Sequence, residues 1–195
     1  MHPADAIKAM YDEGQRIFGE NRVQELVEKQ ALLPEDIEWH LIGHLQKNKV
    51  KYIAPFISLI HSVDSLDLLL EVEKQAQRHD RKIPILLQIK IAEEESKFGI
   101  DPDDLISFME GYMKHEALSV PIIGVMGMAS FVDDKNQIRR EFQILKKCFD
   151  SLQAKYFEAD QDFKEISMGM SGDFPIALEE GSTMVRVGSL LFGKR

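Results

Sequence analysis

The chain has 195 residues, enough for one well-filled domain, and its apolar fraction of 44% and charged fraction of 29% are those of an ordinary globular protein. Its formal net charge of −9 argues against general nucleic-acid binding, which needs a basic surface. The sequence has no apolar run near the ~20 residues of a membrane helix and no secretory signal, and its one cysteine, Cys148, cannot form an internal disulfide, so we expect a cytoplasmic protein.

The predicted elements alternate short apolar strands with longer amphipathic helices. The first half contains a helix over 3–13, a strand over 16–19, a helix over 22–32, a strand over 37–42, a short helix over 46–53 and a strand over 57–63. The second half contains a helix from Ser65, the longest strand over 84–91, a helix from Asp101, a strand over 120–125, a helix over 134–152, a strand over 164–168, a helix over 174–180 and a strand over 184–187.

Seven strands that are each reached through a helix predict a parallel sheet with right-handed crossovers. An open, doubly wound sheet is disfavoured because no G-x-G-x-x-G follows the first strand. The rhythm of roughly 25 residues per unit suits an α/β barrel of the (β/α)8 TIM type, which needs eight strands. We therefore predict one domain over residues 1–195 and a first strand that lies upstream of Met1.

Two turns of small residues follow the last two predicted strands. The penultimate strand leads into residues 167–173 (SMGMSGD) and the last into residues 186–189 (RVGS). In barrels of this type a phosphate commonly binds to these two loops, where backbone N–H groups and the start of a helix approach it. The sequence thus predicts an anion site, although two plain strand-to-helix turns would also explain the pattern.

Other polar residues near strand ends carry more than one interpretation. Arg186 points either into the barrel mouth or towards a buried partner, and Asn21 lies at the rim or caps the next helix. His40 and His44 have the spacing of helical zinc ligands, but Gly43 and the apolar run before it place them across a strand end. Ser171 does not lie in a G-x-S-x-G motif, which disfavours a serine hydrolase.

Several long segments together resemble the pyridoxal phosphate homeostasis family. They are FGENRVQEL (18–26), WHLIGHLQKNKVK (39–51), IHSVDS (60–65), SKFG (96–99), SMGMSGDF (167–174) and VRVGSLLFG (185–193). The resemblance implies a barrel of fold type III, like the N-terminal domain of alanine racemase. It also implies a protein that binds pyridoxal 5'-phosphate (PLP) and acts as a carrier or regulator of vitamin B6 without a firm catalytic activity.

The same resemblance implies roles for particular residues. Ser167 and the turn of Gly188 and Ser189 would hold the phosphate, with serine at 189 where the family usually has threonine. Asn21 would lie beside the cofactor, and Arg186 would face its pyridine nitrogen. An arginine there disfavours protonation of that nitrogen and weakens the ring as an electron sink, which fits binding with little chemistry.

The lysine that forms the Schiff base in this family would fall just upstream of Met1, so no such residue is named. Lys90 and Lys97 are candidate substitutes, although a lysine that is solvated or that only supports the site is the favoured interpretation of each. Two alternatives stay open: an amino-acid racemase-like enzyme, and an interaction protein that no longer binds PLP. PLP-dependent apoenzymes are the expected partners, and a monomer or weak dimer the expected state.

Overall fold

The computed structural model describes residues 3–93, 98–115 and 118–193. All of its strands lie in one parallel sheet whose order is the order of the chain. The strands are β1 (Ile17–Glu20), β2 (Glu38–Leu41), β3 (Leu59–Val63), β4 (Ile85–Gln88), β5 (Ile122–Met126), β6 (Glu165–Met170) and β7 (Met184–Arg186). The seven predicted strands are therefore all present, and the parallel pairing of neighbours confirms the barrel class.

The helices precede, connect and follow these strands. They are α1 (Ala4–Asp12), α2 (Val23–Gln30), α3 (Val50–Ile53), α4 (Leu66–Arg78), α5 (Leu105–Met113), α6 (Lys135–Tyr156), α7 (Phe174–Glu179) and α8 (Ser189–Phe192), with 3-10 turns at Lys47–Lys49 and Pro102–Asp104. Local sequence sets several of their starts, because the Ser65 side chain accepts from the Leu68 N–H and Asp134 caps α6. No described helix is long and apolar enough to cross a membrane.

The sheet curls until side chains from non-adjacent strands meet inside it. His61 of β3 hydrogen-bonds to Ser167 of β6, although β4 and β5 separate these strands in the sheet. The outer face packs against the helices through large buried side chains such as Trp39, Phe142 and Leu26. The result is a packed barrel wall with a polar interior near the carboxyl ends of the strands.

Two strands differ in extent from the prediction. The strand expected to be the longest, over 84–91, is only four residues long, and beyond it Ile89 forms a single bridge to Ile100. The strand expected to end at residue 168 instead continues to Met170. The pairing of β6 with β7 continues beyond residue 168, to Met170. Because of this extension, Ser167 lies inside the strand and is buried in the barrel.

The sheet has two edges, β1 and β7, because the strand order begins with one and ends with the other. A cavity of about 860 Å³ is lined by both edge strands, by α1 and by the loops that follow β5 and β6. The eighth strand expected upstream of Met1 stays a prediction. The fold thus brings the ends of distant strands to one cavity.

Candidate functional site

The two glycine-rich turns are joined to each other at the mouth of the barrel. The Ser171 hydroxyl oxygen accepts from the N–H groups of Gly188, at 3.2 Å, and Leu190, at 3.4 Å. A Cβ added to Gly188 or Gly172 would meet no atom within 4 Å, so both glycines face open space. These residues and the exposed Ser189 line the cavity. The arrangement leaves small residues and backbone at the surface of the cavity, as an anion site requires.

The end of β6 determines where Ser171 lies. Gly169 has a φ of +95°, a conformation that side chains rarely adopt, and an added Cβ would come within 2.6 Å of the Ala177 Cβ. The Asp173 carboxylate then accepts from the Met170 N–H at 2.5 Å. The chain therefore turns sharply after the strand and carries Ser171 across to the loop after β7.

Arg186 places a positive charge in the cavity, two residues before Gly188. Its Nη1 donates to the Ser167 hydroxyl at 2.6 Å and its Nη2 to the Gly127 carbonyl at 3.1 Å. Burial lowers the pKa of the guanidinium to about 10, an effect that the carboxylate of Asp173 opposes. The group remains charged at neutral pH, and the structure selects the inward orientation of the two that the sequence allowed.

The assignment of Ser167 to the phosphate is not supported by its position. Its side chain is fully buried, it does not line the cavity, and its hydroxyl is occupied by Arg186 and His61. The reason is the extra length of β6, which places this serine inside the strand instead of at its end. The serine at the turn is Ser171, for which the sequence predicts no role in a cofactor site.

Two buried histidines lie in contact in a way that the sequence pattern does not indicate. His61 Nε2 lies 3.0 Å from His40 Nδ1, and His61 Nδ1 lies 2.9 Å from the Ser167 hydroxyl. Burial lowers the pKa of His40 to about 4, and burial, His40 and Arg186 together lower that of His61 well below its usual value. The sequence signal that could have found them is the alternation of side chains along β2, β3 and β6. It would place these residues together only if the inward-facing positions of the three strands were aligned with one another.

The zinc interpretation of His40 and His44 fails because the two rings have different surroundings. His44 stacks on Phe98, with ring centroids 4.0 Å apart, and its Nδ1 lies 3.7 Å from a carboxylate oxygen of Asp64. Across the described ranges, no group of three or more His, Cys, Asp or Glu side chains is placed to hold a metal ion. Both histidines therefore serve other contacts.

Asn21 directly follows β1, is exposed and lines the cavity. It does not cap α2, whose N-cap residue is Arg22. The loop after β2 packs closely on it, because a Cβ at Gly43 would come within 2.2 Å of the Asn21 carbonyl oxygen. The backbone of Asn21 is thus held at the cavity rim, one of the two positions that the sequence left open.

No lysine of the described ranges lines the cavity. Lys90 lies beyond β4 and its N–H donates to the Ile100 carbonyl, outside the cavity lining. Lys97 lies outside the described residues, as does the expected position upstream of Met1. The cavity therefore combines the Arg186 cation with a glycine-rich turn, and no residue is assigned to form a Schiff base there.

The parallel barrel of this chain, with a glycine-rich turn and Arg186 at its mouth, has the fold of alanine racemase-like barrels. The family model for "Alanine racemase, N-terminal domain" matches residues 2–195. Curated relatives include the pyridoxal phosphate homeostasis proteins of Aquifex aeolicus, 39% identical over 99% of this chain and 83% of that protein, and of Homo sapiens, 39% identical over 99% of this chain and 73% of that protein. The chain belongs to this family of pyridoxal phosphate homeostasis proteins.

Solved structures agree with this assignment. PipY of Synechococcus elongatus, solved without PLP, is 38% identical with a TM-score of 0.90 over 98% of this chain and 88% of that one. A second structure of PipY, with PLP bound, has a TM-score of 0.86 over the same shares. Alanine racemase of Clostridium difficile, 13% identical with a TM-score of 0.75 over 98% of this chain and 48% of that one, shares the fold.

Proposed function

We propose that this chain binds PLP at the mouth of its barrel and acts in PLP homeostasis as a carrier or regulator. The observation that carries the proposal is the position of Arg186 and the turn formed by Ser171 and Gly188 in one cavity of about 860 Å³. The names of the relatives and the PLP-bound PipY structure support it. PLP has an acidic end and an aromatic ring, and the cavity has a complementary group for each.

The residues present fit this cofactor. The turn of Gly172, Gly188 and Ser189 lines the cavity, and no atom lies within 4 Å of a Cβ added to either glycine, which leaves room for the phosphate. Asn21, at the rim, would lie beside the ring. Arg186 donates hydrogen bonds and cannot accept them, so it would hold the pyridine nitrogen in its unprotonated form. Ser171 fixes the turn and replaces Ser167 in our assignment.

The proposed role is non-catalytic. Bound PLP supplies an aldehyde that condenses with amines and a ring that withdraws electrons, and the ring withdraws them best when its nitrogen is protonated. Arg186 opposes that protonation because a second positive charge beside the guanidinium is unfavourable. A racemase-like enzyme would also need a lysine in the cavity, and none of the described lysines lines it.

The remaining features of the proposal concern the cellular setting. PLP-dependent apoenzymes would receive the cofactor, and the chain would act as a monomer or weak dimer in the cytoplasm. Cys148 is consistent with a reducing compartment because it is buried in α6, where burial raises the pKa of its thiol to about 11 and keeps it unreactive.

Thermal unfolding with and without PLP is the first test. A ligand that binds only the native state stabilises it by about 2.7 kcal/mol at 100 times its Kd, so PLP should raise the Tm of this chain. Pyridoxal, which lacks the phosphate, should bind at least about 10-fold more weakly, because the phosphate makes charge-assisted hydrogen bonds. Absence of any Tm shift or absorbance change with PLP would overturn the proposal.

Two variants separate the turn from the rest of the molecule. Ser171→Ala should weaken PLP binding because it releases the loop after β7, whereas Ser151→Ala on the exposed face of α6 should leave it unchanged.

The intact mass of the chain after mixing with PLP and reduction with borohydride reports any covalent link. We expect no adduct; a stoichiometric adduct mapped to Lys90 or Lys97 would identify a linking lysine, and racemisation of alanine would establish the enzyme instead.

A further inference from the structure

Four side chains form one hydrogen-bonded row across the interior of the barrel. Arg186 of β7 donates to Ser167 of β6, Ser167 contacts His61 of β3, and His61 contacts His40 of β2, with heavy-atom distances of 2.6, 2.9 and 3.0 Å. Ser167 and His61 are 0% and 1% exposed. The row therefore connects Arg186 to β2 through almost fully buried side chains, and its two histidines also border the cavity.

Donor and acceptor roles along this row are determined by its first member. A guanidinium can only donate, so the Ser167 oxygen accepts from Arg186. The proton of this buried hydroxyl needs an acceptor, and among its hydrogen-bond partners in the described ranges only His61 Nδ1 can accept. His61 then carries its proton on Nε2 and donates it to His40 Nδ1, which leaves the His40 proton on its own Nε2.

We propose that His61 and His40 are positioning residues that, as neutral Nε2–H tautomers, fix the Ser167 proton and thereby hold the Arg186 guanidinium in place for a hydrogen-bond acceptor on the ligand. This inference rests on the proposed function, since the ligand is PLP. It adds that ligand recognition depends on side chains of β2 and β3. Arg186 has five N–H donors, two of its nitrogens donate one bond each within the protein, and the side chain lines the cavity.

The surroundings of the row favour the neutral forms. Both histidines are buried, and Arg186 adds a positive charge beside His61. A protonated His61 would present a second donor to Ser167, and the hydroxyl proton would then have no acceptor. Protonation of His61 would therefore leave a buried donor unsatisfied and place two cations in contact through one serine.

Histidine tautomers are tested without any ligand. Long-range ¹H–¹⁵N NMR of the chain with labelled histidine should show an unprotonated Nδ1 and a protonated Nε2 for His61 and His40 at neutral pH. Loss of signals in His61→Asn and His40→Gln variants assigns them. A charged ring, or a proton on Nδ1 of His61, would overturn the inference whether or not PLP binds.

Coupling to the ligand is tested by a double-mutant cycle on PLP affinity. His61→Leu should weaken PLP binding about 10-fold, the value of one well-placed hydrogen bond, and should have almost no further effect when Arg186→Gln is present. His61→Asn keeps an acceptor for Ser167 and should bind within about 3-fold of the unmodified chain. His79→Leu, at the exposed end of α4, is the matched control and should not change the affinity.

The outcomes of the two experiments separate the inference from the proposed function. Equal effects of His61→Leu with and without Arg186→Gln would show that His61 acts independently of Arg186 and would overturn the inference. Absence of PLP binding to the unmodified chain would overturn the proposed function, while the tautomer measurement would still decide the state of the row. The His61→Asn variant covers the case in which His61→Leu does not fold.

Discussion

His40 is a single side chain through which pH acts on the stability of the whole barrel. Burial lowers its pKa to about 4, from 6.5, so the folded chain keeps it neutral where the unfolded chain protonates it. Between these two values the unfolded state binds more protons. The free energy of unfolding therefore falls as the pH decreases through this window, and the contribution is present in full above pH 6.5.

We predict that His40→Gln reduces this pH dependence. The native histidine should account for a loss of about 1.4 kcal/mol per pH unit, and about 3 kcal/mol in total, between the two pKa values. Urea unfolding of both chains between about pH 7 and pH 4.5 measures the difference, with His79→Gln as the exposed control. Identical slopes for the His40 variant and the unmodified chain would contradict the prediction.

Two buried serines should respond in opposite ways to alanine. The Ser62 hydroxyl has no hydrogen-bond partner in the described part of the chain, whereas the Ser130 hydroxyl donates to the buried carboxylate of Glu141 at 2.7 Å. Ser62→Ala should therefore stabilise the chain by about 1 kcal/mol, and Ser130→Ala should destabilise it by about 1–3 kcal/mol. Urea unfolding compares them; destabilisation by Ser62→Ala would show that its hydroxyl is satisfied.

At the scale of strands and loops, Gly43 lies where the loop after β2 contacts the residue that follows β1. The loop after β2 passes so close to the residue after β1 that a Cβ at Gly43 would lie 2.2 Å from the Asn21 carbonyl oxygen. The backbone of Asn21 cannot move aside as easily as the end of a flexible side chain. The identity of residue 43 therefore controls the position of Asn21 at the cavity rim.

We predict that Gly43→Ala displaces this loop, destabilises the chain by about 1–3 kcal/mol and weakens PLP binding together with it. Gly111→Ala is a suitable control, because its Cβ would meet only the end of the Leu66 side chain, at 3.1 Å, and alanine favours the helix. Thermal unfolding and PLP titration of both variants measure the effects. Unchanged PLP affinity in Gly43→Ala would separate Asn21 from the site.

The order of the elements was predictable from the sequence, whereas the depth of the site residues was not. Short apolar runs between amphipathic segments identified each strand, because strands such as β4 are buried along their whole length. Ser167 and Ser171 lie four apart in the same segment, and only the true end of β6 decides which is at the rim. His61 looked like part of an apolar strand because its partners, Ser167 and His40, are supplied by other strands.

Across the whole molecule, strand pairing is unequal between the centre and the edges of the sheet. β4 is buried at every residue and paired on both sides, whereas the three residues of β7 are only partly buried and paired on one side. Local opening costs less where fewer hydrogen bonds and contacts must break. The cavity thus lies between the two least supported strands.

We predict that backbone amides of β7 exchange with solvent faster than those of β4, and that PLP slows exchange at β7 and the following turn. Bound ligand must be released before that region opens, which raises the cost of opening. Deuterium uptake by mass spectrometry, with and without PLP, resolves these segments. Equal protection of β4 and β7 without ligand, or no effect of PLP at β7, would contradict this account.

The row of side chains through the barrel has a consequence for how the chain acquires its site. Neighbours in the sheet are neighbours in the chain, so each strand can add to the previous one over a short loop. The contact between His61 and Ser167 instead joins residues 106 positions apart. A folding chain should therefore complete most of its sheet before Arg186 is oriented, and competence to capture the ligand should arise only in the last phase of folding.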